Sequence, residues 1–224
     1  MGRKITALKL QKKNAQRVNV YLDGEYAFGL ARIVAAWLKV GQELSEEKIA
    51  ELRSGDEREA ALQRALHFIS YRPRTRQEVH QNLEKAGVPA DVIDETIARL
   101  QEQRLINDSQ FAEFWIDNRT TFRPRSERLL ALELRQRGLT EPVIQEALQA
   151  AAIDEQAAAY QAAQKRSRRL AGLDRQAFRQ KLGSFLARRG FSYETSSGAV
   201  NQLWDELQET DNGRQFNNDD EEIL

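Results

Sequence analysis

The stretches RPRT, at residues 72–75, and RPRS, at residues 123–126, stand 51 positions apart, and their surroundings match at the same interval. Gly87 and Gly138 are also 51 positions apart, and Gly190 follows 52 positions later. A leucine precedes each glycine by four residues, and an apolar residue follows each glycine directly. Because matching at a fixed period is typical of a duplicated supersecondary unit, the sequence predicts three copies of one unit.

Each unit is predicted to contain three helices. In the first unit, the apolar residues between Leu62 and Ile69 recur at helical spacing. Pro73 ends this helix, because proline has no N–H for the helical ladder. Thr75 and Glu78 have the spacing of a capping box that opens the second helix. Gly87 suits the left-handed turn that closes it.

The amino-terminal residues have a different period. Apolar side chains alternate with polar ones over residues 18–22 and again over residues 26–30, as in strands that bury one face. Asp23-Gly24 lies between them and suits a tight turn, so the pattern predicts a β-hairpin. Residues 5–10 are expected to add a third strand, since an isolated hairpin is only marginally stable in water.

Other stretches are assigned from local signals. Residues 31–53 are predicted to be helical with a break at Gly41, and residues 54–56 to form a link to the helical units. In the third unit, the alanine-rich residues 154–170 are expected to form the first helix, and residues 192–198 a polar entry to the last one.

The predicted fold is mainly α. It consists of tandem three-helix repeats that form an elongated, curved array, because each repeat contacts only its neighbours, with a small N-terminal domain that contains a β-hairpin. The expected domains are a hairpin-plus-helix domain at 1–55, three-helix repeats at 57–106, 107–152 and 153–209, and an acidic disordered tail at 210–224.

Composition excludes several classes of protein. The 224 residues are 41% hydrophobic and 30% charged, which is typical of a chain that folds. The absence of cysteine excludes disulfides and cysteine nucleophiles. No apolar run approaches the roughly 18 residues of a membrane-spanning helix. We therefore expect a cytoplasmic protein without a membrane association.

Signals of catalysis are weak. The sequence has no phosphate-binding loop, no nucleophile elbow and no dinucleotide fingerprint. His67 and His80 lie in different predicted helices without partners at metal-ligand spacing, so a structural role is expected for both. We predict that the protein is not an enzyme and needs no cofactor or metal.

Charge is distributed unevenly along the chain. The 34 basic and 34 acidic residues cancel, yet residues 161–190 contain nine basic residues against one aspartate, a local charge of +8. Because so many like charges repel one another, this cluster favours an anionic partner over a purely structural role. The candidate residues for binding a partner or DNA are Arg123, Arg125, Arg135, Arg137, Lys165, Arg166, Arg168, Arg169, Arg179, Lys181, Arg188 and Arg189.

Aromatic residues divide into two groups. Phe114, Trp115, Phe185 and Trp204 occur at helical spacing beside leucines, so they are expected to lie in the core. Phe122 and Tyr71 lie beside the two Arg-Pro turns and are the better candidates for exposed contacts.

These motifs, taken together, resemble those of the RecX family of recombination regulators. The resemblance covers residues 57–209, and the matching residues include Ala61-Leu62, Ser70, Arg72, Glu78-Val79, Leu83, Gly87, Ile97, Leu100, Leu105-Ile106-Asn107-Asp108, Phe111-Ala112, Trp115, Arg119, Leu134, Gly138-Leu139, Ile144 and Ala147-Leu148.

The resemblance implies a non-catalytic cytoplasmic protein that binds RecA, the strand-exchange ATPase. Members of the family lie in the helical groove of the RecA filament on DNA and inhibit its ATPase and recombinase activities. On this basis we expect the basic side chains of the second and third repeats to face acidic protein surface or DNA phosphate. A monomer is expected, because a tandem array already supplies several contacts.

Two alternatives stay open at the level of sequence. A helical module that binds single- or double-stranded DNA directly would lose affinity steeply with salt, whether or not RecA is present. An interaction protein with another partner would require the family resemblance to be misleading. The acidic residues from 211 onward are expected to shield the basic residues in the free protein.

Overall fold

The computed structural model of the chain describes residues 2–219, with side chains as far as Glu209. The chain divides into two compact units, Met1–Asn107 and Asp108–Leu224. Within the described residues no helix is long and apolar enough to cross a membrane.

The first unit begins with a four-stranded antiparallel sheet. Its strands are β1 (Arg3–Gln11), β2 (Asn14–Leu22), β3 (Glu25–Ala31) and β4 (Glu43–Leu44), in the order β3-β2-β1-β4. Asp23 and Gly24 take the positive φ angles that the turn requires. The predicted hairpin and the third strand are therefore confirmed.

Helix α1 (Glu46–Ser70) corrects two sequence predictions. Ala31 ends β3, residues 32–45 contain only a 3-10 helix (Val34–Trp37) and β4, and residues 54–56 lie inside α1 instead of forming a link. A tertiary contact explains the continuous helix: the Asp56 carboxylate accepts a hydrogen bond from the Ala31 N–H at 2.6 Å and pairs with Arg17 at 2.7 Å. The start of α1 therefore belongs to the sheet's core.

The remainder of α1 forms the first three-helix repeat with α2 (Arg76–Glu84) and α3 (Ala90–Glu102). The predicted capping box is present, because the Thr75 side chain accepts from the Glu78 N–H and the Glu78 side chain accepts from the Thr75 N–H. The buried core of this repeat contains Ala61, Leu62, Ala65, Val79, Leu83, Val92, Ile93, Ile97, Leu100 and Ile106.

The second unit contains two further repeats. Its helices are α4 (Asp108–Phe122), α5 (Glu127–Gln136), α6 (Glu141–Ala151), α7 (Glu155–Ser167), α8 (Arg175–Arg188) and α9 (Tyr193–Asp219). Each repeat has its own buried cluster, centred on Leu130 and Leu134 in one and on Phe178 and Leu182 in the other.

The three repeat glycines have the predicted positive φ, between 77° and 89°. In every case the N–H of the following apolar residue donates to the carbonyl of the leucine four positions before the glycine, at 3.2–3.3 Å. These are Schellman motifs, and they confirm the periodic turn that the sequence predicts.

In the third repeat, the predicted alanine-rich first helix is present as α7, which ends at Ser167 before a 3-10 turn at Arg168–Leu170. The predicted polar entry at residues 192–198 is wrong, since α9 begins at Tyr193. Helix α9 also continues to Asp219, beyond the expected start of the disordered tail at 210. Residues 220–224 of that tail lie outside the described residues.

Candidate anion-binding surface

The second and third repeats meet where the Arg-Pro turn before α5 contacts the end of α8. The Ser126 N–H donates to the Arg189 carbonyl at 3.1 Å, and the Arg189 guanidinium donates back to the Pro124 carbonyl at 2.9 Å. Gly190 packs so closely here that a Cβ atom would lie 2.4 Å from Ser126 Oγ and 2.7 Å from Leu129 Cβ. The tight contact places two arginine-rich segments side by side.

Arginine side chains from both repeats converge at this junction. Burial lowers the pKa of Arg125, and the charges of Arg119, Arg189 and Arg123 lower it further. Burial also lowers the pKa of Arg189, with a smaller effect from Arg123. Since arginine stays protonated at physiological pH, these shifts indicate cations that repel one another in a partly desolvated place.

Glu133 is the carboxylate that organises part of this cluster. Its side chain is 12% exposed and accepts hydrogen bonds from Trp115 Nε1 at 2.8 Å and Arg119 Nε at 3.0 Å, and it forms an ion pair with Arg125. Among the described residues, Glu133 is the one carboxylate in ion-pair contact with Arg119, Arg123, Arg125 or Arg189. One negative charge therefore faces four positive charges.

Arg123 differs from its counterpart in the first repeat. There, Arg72 donates to both carboxylate oxygens of Glu78, at 3.0 and 3.1 Å. The position 51 residues after Glu78 is Leu129, so the second repeat offers Arg123 no carboxylate at the equivalent place. Arg123 is exposed and makes no ion pair with the described residues, which leaves it available to a partner.

Two aromatic rings hold further arginines. Arg119 and Arg137 lie over Trp115, with Cζ 4.1 and 4.6 Å from the ring centroid. Arg189 and Arg166 lie over Phe185 in the same way, at 4.6 and 5.0 Å. The rings are half-buried, so each one contributes to the core and also positions guanidinium groups at the surface.

Other aromatic predictions have mixed outcomes. Phe114 is 53% exposed, so its expected core position is wrong. The spacing was misleading because Phe111 and Trp115 form the inward-facing pair of α4, with rings stacked at 5.8 Å. The expected exposure of Phe122 and Tyr71 is confirmed, at 74% and 71%.

The predicted site residues do not all belong to one surface. Arg135 is held in a two-pronged ion pair with Glu141 at 2.7 and 2.8 Å, and this lowers the pKa of Glu141 to about 2. Arg135 is therefore already paired with a carboxylate of its own repeat. Arg179 lies on α8 of the third repeat, where it lines a cavity of about 360 Å³ together with Tyr193 and Ser196.

The remaining predicted residues are exposed and form no ion pairs with described residues. They are Lys165, Arg166, Arg168, Arg169, Lys181 and Arg188. Sequence reasoning omitted Arg119 and Glu133 from the site. The available signal was the spacing of Trp115 and Arg119, which puts both on one side of a helix.

Family models match four consecutive parts of the chain. They describe the N-terminal domain of regulatory protein RecX, at residues 3–45, and the first, second and third three-helix domains of RecX, at residues 61–100, 107–148 and 154–200. Regulatory protein RecX of Bacillus subtilis is 34% identical over 89% of this chain and 76% of its own length. The chain belongs to the RecX family.

Further comparisons support membership of the RecX family. Regulatory protein RecX of Bacillus velezensis is 34% identical over 97% of this chain and 80% of its own length. A crystal structure of regulatory protein RecX superposes with a TM-score of 0.67 at 28% identity, over 91% of this chain and 99% of that one. A crystal structure of RecX from Lactobacillus salivarius superposes with a TM-score of 0.59 at 25% identity, over 66% of this chain and 97% of that one.

These comparisons, together with the helices described above, confirm the predicted fold class, in which a small N-terminal strand domain is followed along the chain by tandem three-helix domains. The elongated, curved arrangement and the domain limits stay predictions.

Proposed function

We propose that this protein is a non-catalytic regulator that binds the groove of the RecA nucleoprotein filament and inhibits RecA ATPase and strand exchange. The observation that carries the proposal is a cluster of cations between the second and third repeats, in which, among the described residues, Glu133 pairs with two arginines only. We call this cluster the arginine junction; it consists of Arg119, Arg123, Arg125 and Arg189, together with Arg166, which shares the ring of Phe185 with Arg189. Its relatives are named regulatory proteins, which agrees with this role. We further propose that it acts as a monomer in the cytoplasm.

A nucleoprotein filament offers the anionic groups that this surface lacks. Phosphates and carboxylates accept two parallel hydrogen bonds from one guanidinium, and both groups compensate its charge. Arg123 and Arg166 come from different repeats but share Arg189 as a neighbour, since Arg189 donates to the Pro124 carbonyl and lies with Arg166 over Phe185. One filament partner can therefore engage both arginines at once. Several modest contacts held on one chain then add through effective concentration.

Inhibition follows if the protein prefers one filament state. A ligand shifts a conformational equilibrium only by its difference in affinity for the two states. Contacts with two repeats would stabilise the filament arrangement that fits their spacing, and would oppose the arrangement needed for ATP turnover.

Direct binding of DNA is a second candidate function. Exposed arginines that make no ion pair with described residues, such as Arg123, are equally suited to phosphate. The two functions separate in a pair of assays, namely inhibition of RecA ATPase by substoichiometric protein and a gel shift on the same DNA without RecA. Inhibition without a comparable shift supports the regulator.

The double charge reversal Arg123→Glu/Arg166→Glu tests the surface. Both side chains are exposed, so helical content should be unchanged. We expect the concentration that halves RecA ATPase activity to rise at least about tenfold, which corresponds to about 1.4 kcal/mol of lost binding. The measurement is ATP hydrolysis on single-stranded DNA at low salt.

The matched control is Arg64→Glu/Arg99→Glu, which makes the same change in net charge at exposed positions of the first repeat. If the control weakens inhibition as much as the junction variant does, net charge is responsible and the junction is not the site. Unchanged inhibition by the junction variant would also contradict the proposal.

A further inference from the structure

The sheet of the first unit has a polar outer face that no repeat core uses. Strand alternation sends Ile5, Val20 and Leu30 into the sheet's core cluster. The opposite face carries two groups of contacting side chains, namely Lys9 with Tyr21 and Tyr26, and Gln11 with Asn19. We call these five residues the outer sheet face.

One tyrosine of the outer sheet face presents an open aromatic ring that a second tyrosine supports. Tyr21 and Tyr26 contact edge to face, with ring centroids 6.0 Å apart, and Lys9 Nζ lies 5.0 Å from the centroid of Tyr21. Tyr26 is 60% exposed and is absent from the buried core. The neighbouring ring fixes its orientation, while its own surface stays open to a planar ligand.

The middle of the outer sheet face is flat. Gln11 Nε2 donates to Asn19 Oδ1 at 2.8 Å, and Gly29 lies beside this amide pair on β3. A Cβ atom at Gly29 would lie 2.9 Å from Gln11 Nε2, so any side chain there would displace the amide. Because Gly29 has no side chain, the amide groups of Gln11 and Asn19 can lie flat on the sheet beside the tyrosines.

The charge of the N-terminal residues favours an anionic ligand. Residues 2–45 contain eight basic and three acidic residues, a net charge of +5. Lys9, Lys12 and Lys13 follow one another along β1 and its turn into β2, and none forms an ion pair with the described residues. The acidic Asp23 is engaged with Arg3 at 3.1 Å.

We propose that the outer sheet face binds single-stranded nucleic acid. A base stacks on the exposed ring of Tyr26, the Gln11–Asn19 amides offer hydrogen bonds to base edges, and phosphates lie along Lys9, Lys12 and Lys13. An aromatic platform beside a basic edge is the combination that single strands require, because their base faces are uncovered whereas a duplex hides them. None of these residues belongs to the arginine junction.

The test is fluorescence anisotropy of the full chain with labelled oligo(dT) and oligo(U) of about 12 nucleotides. The protein carries Arg123→Glu/Arg166→Glu, so that the arginine junction does not dominate. Tyr26→Ala should lower affinity by about five- to a hundredfold, since one stacked base is lost. Tyr193→Ala, which truncates a tyrosine that is 84% exposed in the other unit, should leave affinity unchanged.

Salt dependence separates stacking from charge. Tyr26→Ala should keep the slope of log affinity against log salt, whereas Lys12→Gln/Lys13→Gln should reduce it by about 1.4. Comparison of the two oligonucleotides shows whether DNA or RNA is preferred. Equal affinity of Tyr26→Ala and the parent, or equal losses in Tyr26→Ala and Tyr193→Ala, would overturn the proposal. RecA ATPase inhibition is a separate readout, so neither result depends on the other.

Discussion

Glu133 illustrates how one side chain can hold several cations at a surface. Its carboxylate contacts Trp115, Arg119 and Arg125, and it lies on the middle of α5 with only 12% of its side chain exposed. The carboxylate compensates the positive charge of arginines that are partly removed from water. Its negative charge is smaller than the positive charge around it, so the place stays attractive to anions.

Replacement of Glu133 by Gln should therefore destabilise the second unit. The amide keeps the size of the side chain but removes the charge, and two arginines lose their ionic acceptor. We expect a loss of about 2 kcal/mol in the free energy of unfolding, measured by urea denaturation with circular dichroism.

Glu146→Gln is the control, because Glu146 is exposed on α6 and forms no ion pair with described residues. If both variants unfold at the same urea concentration, Glu133 does not have this structural role.

The turns after α2, α5 and α8 share a backbone motif but differ in their surroundings. At Gly87 a Cβ atom would meet nothing within 4 Å, whereas at Gly190 it would collide with Ser126 and Leu129 of the preceding repeat. Both glycines have positive φ, at 77° and 89°. The comparison separates the cost of backbone strain from the cost of disturbing the junction.

Alanine substitutions at these two turns should differ in effect. Gly87→Ala should cost about 1 kcal/mol, the usual penalty for an L residue in the left-handed region. Gly190→Ala adds overpacking and should cost about 1–3 kcal/mol more. Thermal and urea unfolding of the two full-length variants provide the measurement. Equal losses in the free energy of unfolding would show that the contact of Gly190 with the preceding repeat accommodates a methyl group without destabilisation.

The whole chain is neutral, so its electrostatics depend on where the charges lie. Nine basic residues against one acidic residue between 161 and 190 produce a strong local field in the second unit. This field is screened beyond roughly 8 Å at physiological salt, so it acts on partners at contact distance.

The proposed inhibition of the RecA filament should accordingly weaken with salt. Between about 50 and 200 mM salt, we expect the half-inhibitory concentration to rise at least about tenfold for the parent protein, and less for Arg123→Glu/Arg166→Glu. Parallel circular dichroism shows whether the fold persists. A half-inhibitory concentration independent of salt would argue for an apolar interface.

Much of the fold could be predicted because its determinants are local. A capping box, a left-handed glycine and an apolar residue every three or four positions act within a single turn or helix, so the repeats are visible at Thr75, Gly87, Gly138 and Gly190. Helix α1 was predicted incorrectly because Gly55 and its neighbours suggest a break, whereas contacts of Asp56 with the sheet keep the helix continuous.

The amino-acid sequence by itself determined the number of repeats, the strand hairpin and the stretch in which basic residues accumulate. Only the tertiary structure decided which arginines act together: Arg135 is engaged by Glu141, whereas Arg123, Arg125 and Arg189 converge across two repeats. The physical reason is that helix periodicity and turn geometry depend on neighbours in sequence. The pairing of charges depends on distances in space, which exist only after the repeats have packed.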